Sequence, residues 1–279
     1  MAGKTSSRLR QSDIYLRFFQ FINYIPKRIR IVAVTLAMTA LLVFSSFFSF
    51  ADYWYIFVPL LFITSYITTY LAIFEGIDGV EWYMLFITAI VLAVGTYVFY
   101  FLLPVRWLTR VPLMVTFGLA YYAALLTSNI FNVGVEKSLQ LYRAAFSVNY
   151  FLQSFIVFLL LMVIYTFKQN FLINGFASGV VAGVLSLQLY WSVSPDAVFN
   201  RKLMNYAVMT ALLLLQFAII ISFIPLKTNV SALIFTAAYY SLTGIVHHHL
   251  GNRLFPNIIK EYIFVFIFVC FIAILTLQW

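Results

Sequence analysis

Apolar residues run along this chain in nine long stretches, at 31–51, 53–74, 82–104, 112–133, 146–167, 171–193, 203–224, 230–246 and 262–278. Each is close to the roughly 20 residues an α-helix needs to cross the hydrocarbon core of a bilayer. Inside them the apolar positions do not alternate, as they would in barrel strands. Nor do they leave a broad polar stripe for water, as they would in the helices of a soluble domain. Every acidic residue lies outside the stretches: Asp13, Asp52, Glu75, Asp78, Glu81, Glu136, Asp196 and Glu261. So does every lysine and arginine. The pattern predicts an all-α polytopic membrane bundle of about nine helices, because lipid offers no partner to the backbone of an open sheet or an irregular span.

Composition adds a second argument. Of the 279 residues, 64% are hydrophobic and 9% charged. Soluble domains carry about 25% charged residues, and roughly half of any folded surface must face water. The chain divides into a basic segment, 1–30, and a single transmembrane domain, 31–279. In the first, Ile14, Phe18, Phe21, Ile22 and Ile25 recur at helical spacing before Pro26. This predicts an amphipathic helix lying in the membrane interface. Arg17, Lys27, Arg28 and Arg30 would there meet anionic headgroups, at about 1 kcal/mol each. The first apolar stretch starts only at Ile31 and is too long for a signal-peptide core, so no cleaved leader is expected. A net charge of +9 is accounted for by this membrane surface, and no soluble basic module offers itself to nucleic acid. The one cysteine, Cys270, lies in the last stretch and reads as a small buried hydrophobe.

Two features orient the bundle. Trp54, Trp82, Trp107, Trp191 and Trp279 all fall at the ends of stretches, where the indole ring sits at headgroup level. With a cytoplasmic N-terminus, 13 Lys and Arg fall inside and four outside. The positive-inside rule then gives N-in, C-out. Only Asp52 separates the first two stretches, so one crossing plus a re-entrant piece over 31–74 is the alternative. It changes the count to 11 inside and six outside.

Few polar features carry candidate chemistry. Gly175, Gly179 and Gly183 form a GxxxGxxxG run, a face that lets another backbone come close, within this chain or in a second copy or partner. His247, His248 and His249 are the only histidines. Imidazoles bind divalent metals, but neighbours on a helix point about 100° apart and cannot converge while the helix continues. Glu75, Asp78 and Glu81 recur every third residue in a glycine-containing loop. Carboxylates in such a loop could hold a hard cation beside a phosphate; a solvated turn explains them equally. Asp78-Gly79 opens as the Asp-Gly-x-x-Ala-Arg core of the CDP-alcohol phosphotransferases does, but Trp82-Tyr83 stand where that family carries Ala-Arg, and its later aspartates are absent. Apart from a divalent cation, no cofactor is predicted. No ionisable residue lies in mid-stretch, which argues against a proton relay. Mid-stretch polarity rests on Asn129, Asn132, Asn149, Gln153, Gln188, Asn205 and Gln216. These either hydrogen-bond across helices or line a cavity between the fourth and seventh spans.

Three functions follow as expectations. The first is a non-catalytic membrane subunit or scaffold joined to a membrane-protein partner or to its own copies through the glycine face. The second is a carrier or flippase for a lipid or other apolar molecule. The third is a metal-dependent enzyme acting on lipid-linked phosphate at the cytoplasmic face. The absence of GxSxG, P-loop, GxGxxG and CxxC motifs leans away from catalysis. A prokaryotic inner membrane is the expected location. A reporter fused after Trp279 should be found on the external side of the membrane; cytoplasmic reporter activity would overturn the orientation.

Overall fold

The computed structural model describes residues 26–74, 82–104, 106–133, 139–193, 195 and 201–276. Among them every regular element is an α-helix: α1 (Lys27–Ser45), α2 (Phe50–Ile73), α3 (Trp82–Tyr100), α4 (Trp107–Val133), α5 (Leu139–Thr166), α6 (Phe171–Trp191), α7 (Arg201–Ser222), α8 (Thr228–Leu250) and α9 (Pro256–Leu275). All nine are long and apolar enough to cross a membrane. The chain is therefore a multi-pass membrane protein. Residues 14–25, read from the sequence as an interfacial helix, lie outside the described residues, as does Arg17.

The first hairpin is two helices of 19 and 24 residues, not a crossing plus a re-entrant piece. A short serine-rich turn joins them. Ser45 and Ser46 turn their hydroxyls back onto the carbonyls of Leu42 and Val43, at 2.8 and 2.6 Å, and close the end of α1. Asp52 lies within the first turn of α2, where a carboxylate suits the helix dipole. The helices also outrun the apolar stretches, so Arg110, Arg143, Lys260 and Glu261 are helical residues. A helix continues to its cap, wherever the hydrocarbon ends.

Consecutive helices run antiparallel, and contacts between their ends fix this. At one end, the Arg30 guanidinium lies 4.6 Å from the Phe74 ring, Asn132 Nδ2 donates to the Ile73 carbonyl at 2.8 Å, and Tyr142 donates to the Ser192 carbonyl. At the other end Phe171 packs on Phe223. These are called below the Lys27 end and the Ser45 end. Lys27 is half-buried and Arg28 exposed, but Arg30 is buried beneath Phe74 instead of facing outward.

Helix α3 forms the centre, packed on α1, α2, α4, α5 and α6, with 67% of its span buried. Helix α9 is the opposite case. It packs chiefly on α8, and only 6% of its span is buried. Trp54 and Trp107 are exposed at helix starts, as interfacial residues should be. Trp191 differs: it ends α6 but is 2% exposed, as a core residue.

Helices α6 and α7 make the most extensive pair, and the glycine run explains it. A β-carbon on Gly175 would come 2.7 Å from Ile219 Cγ1, one on Gly179 2.8 Å from Leu215 Cβ and 3.2 Å from the Ala211 carbonyl oxygen, and one on Gly183 3.0 Å from Ala211 Cβ. The run is thus occupied inside the chain. Gly179→Val should cost about 1–3 kcal/mol, because the opposing atoms include backbone that cannot rotate away. Gly175→Ala should cost less, since Ile219 can change rotamer. Unfolding in mixed detergent micelles measures both, and equal stability of all three proteins would refute the close approach.

Candidate functional site

The C-terminus of α8 builds one side of the site. Its last turn closes as a Schellman motif: Arg253 N–H donates to the His248 carbonyl at 2.9 Å and Asn252 N–H to the His249 carbonyl at 3.1 Å. Asn252 takes the left-handed conformation, φ 53°, which this motif requires and asparagine tolerates. The reversal carries Arg253 to the Lys27 end of a groove.

That groove has a volume of about 890 Å³, within the range of small-molecule sites. Helix α8 forms its floor, with α5 on one side and α9 on the other. Each helix contributes a face at helical spacing: Tyr142, Phe146, Tyr150 and Ser154 from α5; Leu233, Ala237 and Tyr240 from α8; Tyr262, Val265 and Val269 from α9. From His248 to Leu233 it extends about 22 Å, at 1.5 Å per residue. Helices α5 and α9 scarcely touch, and Phe151, Leu233 and Val265 are exposed in the gap. The groove is therefore open sideways, toward lipid.

Aromatic rings hold the walls apart. Tyr150 stacks on Tyr240 at 4.7 Å, and Tyr240 meets Tyr262 at 5.5 Å. Tyr150 donates to the Tyr240 carbonyl, and Ser241 donates to the Tyr262 carbonyl at 2.9 Å, pinning α9 to α8. Gly244 is essential to this arrangement. A β-carbon there would strike the Tyr262 ring and stand 2.5 Å from the Tyr150 hydroxyl.

Polarity grades along the groove. At the Lys27 end lie Arg143, Arg253, His247 and His248; deeper in, the lining is mostly apolar, with Phe151, Leu233, Val265 and Val269 beside the hydroxyls of Ser154 and Thr236. Among the described residues, the side chains lining it carry positive charge and include no carboxylate. Glu261 is exposed one residue before Tyr262. A basic mouth above an apolar trough suits a molecule with an acidic head and a hydrocarbon chain.

The three histidines diverge, as their adjacency on a continuous helix requires. His247 stacks on Phe146 of α5 at 3.6 Å, His248 faces Tyr262 of α9 at 5.9 Å, and His249 Nε2 lies 3.1 Å from the Tyr206 hydroxyl of α7. Two of them line the groove and the third does not. Among the described residues no group of three or more His, Cys, Asp or Glu is placed to hold a metal ion. Glu75, Asp78 and Glu81 lie outside the described residues.

Of the mid-stretch amides, Asn132, Asn149, Gln153 and Gln188 hydrogen-bond across helices, the first of the two expected roles, whereas Asn205 and Gln216 are exposed. Asn149 Nδ2 donates to Gln188 Oε1 at 3.0 Å, Gln153 Nε2 donates to the same oxygen, and Tyr239 donates to Gln153 Oε1 at 2.9 Å. The Thr88 hydroxyl lies 3.4 Å from Asn149 Oδ1. All are buried. They tie α3, α5, α6 and α8 together behind the groove wall and do not line it.

Sequence reasoning missed Arg143, Arg253 and the tyrosines. Tyr142, Phe146 and Tyr150 recur every fourth residue, a signal that marks one helix face without saying whether it is core or groove. Compared with known proteins, the chain matches no protein-family model, no curated protein and no solved structure.

Gln188→Leu should destabilise the bundle by about 1–3 kcal/mol, because it leaves the Asn149 and Gln153 amides buried without an acceptor. Chemical unfolding in micelles gives this value. No loss of stability would mean that the network contributes nothing to helix association.

Proposed function

We propose that this protein binds an anionic amphiphile, a lipid or lipid-linked molecule with an acidic head, and carries it in the groove between α5, α8 and α9. The carrying observation is the graded lining: two arginines and two histidines at the mouth, mostly apolar residues in depth. An opening between α5 and α9 lets such a molecule enter from the leaflet without leaving hydrocarbon. Arginine suits an acidic head because its planar fork donates two parallel hydrogen bonds to a phosphate or carboxylate. The chain would rest on Phe151, Leu233, Val265 and Val269.

The subunit or scaffold function drew on the lack of catalytic or transport motifs and on a glycine face available for packing. Gly175 and Gly179 face α7 of the same chain, so support moves to the carrier reading. In the N-in orientation the mouth lies at the cytoplasmic leaflet, where anionic lipids concentrate.

In detergent micelles, pyrene-labelled phosphatidic acid should bind the purified protein, and the matching phosphatidylcholine should bind more weakly. The double variant Arg143→Gln/Arg253→Gln should weaken phosphatidic acid binding by at least about tenfold, the loss of one charge-assisted hydrogen bond or more. Unchanged affinity would remove the groove from the account. Carriage is read separately: vesicles containing the protein should move labelled phosphatidic acid between leaflets or membranes faster than empty vesicles. No acceleration would leave a binding protein and contradict the carrier step.

A further inference from the structure

A second groove lies between α1 and α4, with a volume of about 640 Å³. Its lining is almost wholly apolar, including Val32, Leu36, Val43, Val115 and Leu119, and it ends at Arg110. Gly118 lies on its floor; a β-carbon there would approach Thr39 Oγ1 to 3.2 Å. From Val32 to Val43 the groove runs about 16 Å along α1, at 1.5 Å per residue. One leaflet of a bilayer supplies about 15 Å of hydrocarbon.

Arg110 is buried, at 8% exposure. Its Nε donates to the Tyr100 hydroxyl at 3.0 Å and its Nη2 to the Ser46 carbonyl at 3.1 Å. The guanidinium carbon lies 4.4 Å from the Phe47 ring and 5.1 Å from the Trp107 ring. Among the described residues these contacts are a hydroxyl, a carbonyl and aromatic rings, none of them an anion. Two of the five N–H donors of the guanidinium serve these bonds. A buried cation without a counter-charge is costly.

We infer that the α1–α4 groove holds one anionic phospholipid, its phosphate on Arg110 and an acyl chain along α1 and α4. Charge and length argue together. The phosphate supplies the missing anion to a preformed donor fork, and the trough matches the depth of a single leaflet. Ser46, Tyr100 and Trp107 place Arg110 at the Ser45 end, so this lipid comes from the leaflet opposite the mouth of the first groove. The two sites are separate, and either stands without the other.

The test is native mass spectrometry of the protein released from nanodiscs of equal phosphatidylglycerol and phosphatidylcholine. Wild type should retain phosphatidylglycerol in preference to phosphatidylcholine. Arg110→Gln should lower the occupancy of one retained phosphatidylglycerol about tenfold. Val115→Trp, which fills the trough from an exposed position and leaves Arg110 intact, should do the same. Arg253→Gln should leave that copy in place, which separates this site from the first. A purely structural Arg110 would lower thermal stability equally with either lipid. A lipid site instead predicts that both variants lose the extra stability conferred by phosphatidylglycerol over phosphatidylcholine. Wild-type phosphatidylglycerol occupancy in Val115→Trp, or equal retention of the two lipids by wild type, would overturn the inference.

Discussion

Hydrocarbon offers a peptide group nothing to bond with, and it does not drive apolar helices together, since lipid tails are as apolar as leucine. The first property makes each span a helix. The second leaves the arrangement of the helices to close backbone approach and to hydrogen bonds between side chains. Both devices are placed unevenly in this chain. Gly175, Gly179 and Gly183 bring α6 against α7, and Gln188 gathers amides from α5 while Tyr239 of α8 bonds to Gln153. Where these devices are present the bundle is closed.

Where they are absent it is open. Between α5 and α9 stand the rings of Phe146, Tyr150, Tyr240 and Tyr262, too large to let the helices meet. Ser241 pins helix α9 to α8, and Phe266 of α9 packs on Phe217 of α7. The gap is therefore a product of residue size. Gly244 makes room for the rings, the rings hold the walls apart, and the Schellman turn at Asn252 delivers a cation to the mouth. The groove between α1 and α4 is built differently: the two helices pack directly, Gly118 lies against Thr39, and Arg110 stands at one end.

Much of the architecture was legible before any coordinates. The apolar stretches located nine helices, and the glycine run marked the tightest pair, because one-dimensional patterns record burial in lipid and small contact faces directly. The divergence of His247, His248 and His249 followed from helix geometry alone. Helix ends were less legible, since Arg110 and Arg143 belong to helices that continue past the apolar stretches. The grooves could not be read at all. A tyrosine every fourth residue on α5 looks the same whether it meets another helix or an empty trough, and only the position of α9 decides. Trp191 shows the same limit: its place at a helix end predicted an interfacial ring, but its neighbours bury it.

If the trough between α5, α8 and α9 holds an acidic amphiphile, electron cryomicroscopy of the full chain in nanodiscs of anionic lipid should show it. Elongated density is expected along Leu233, Val265 and Val269, with its head between Arg143 and Arg253. A trough closed by α9 moving onto α5, or filled by a helix of another protein, would contradict the proposed binding.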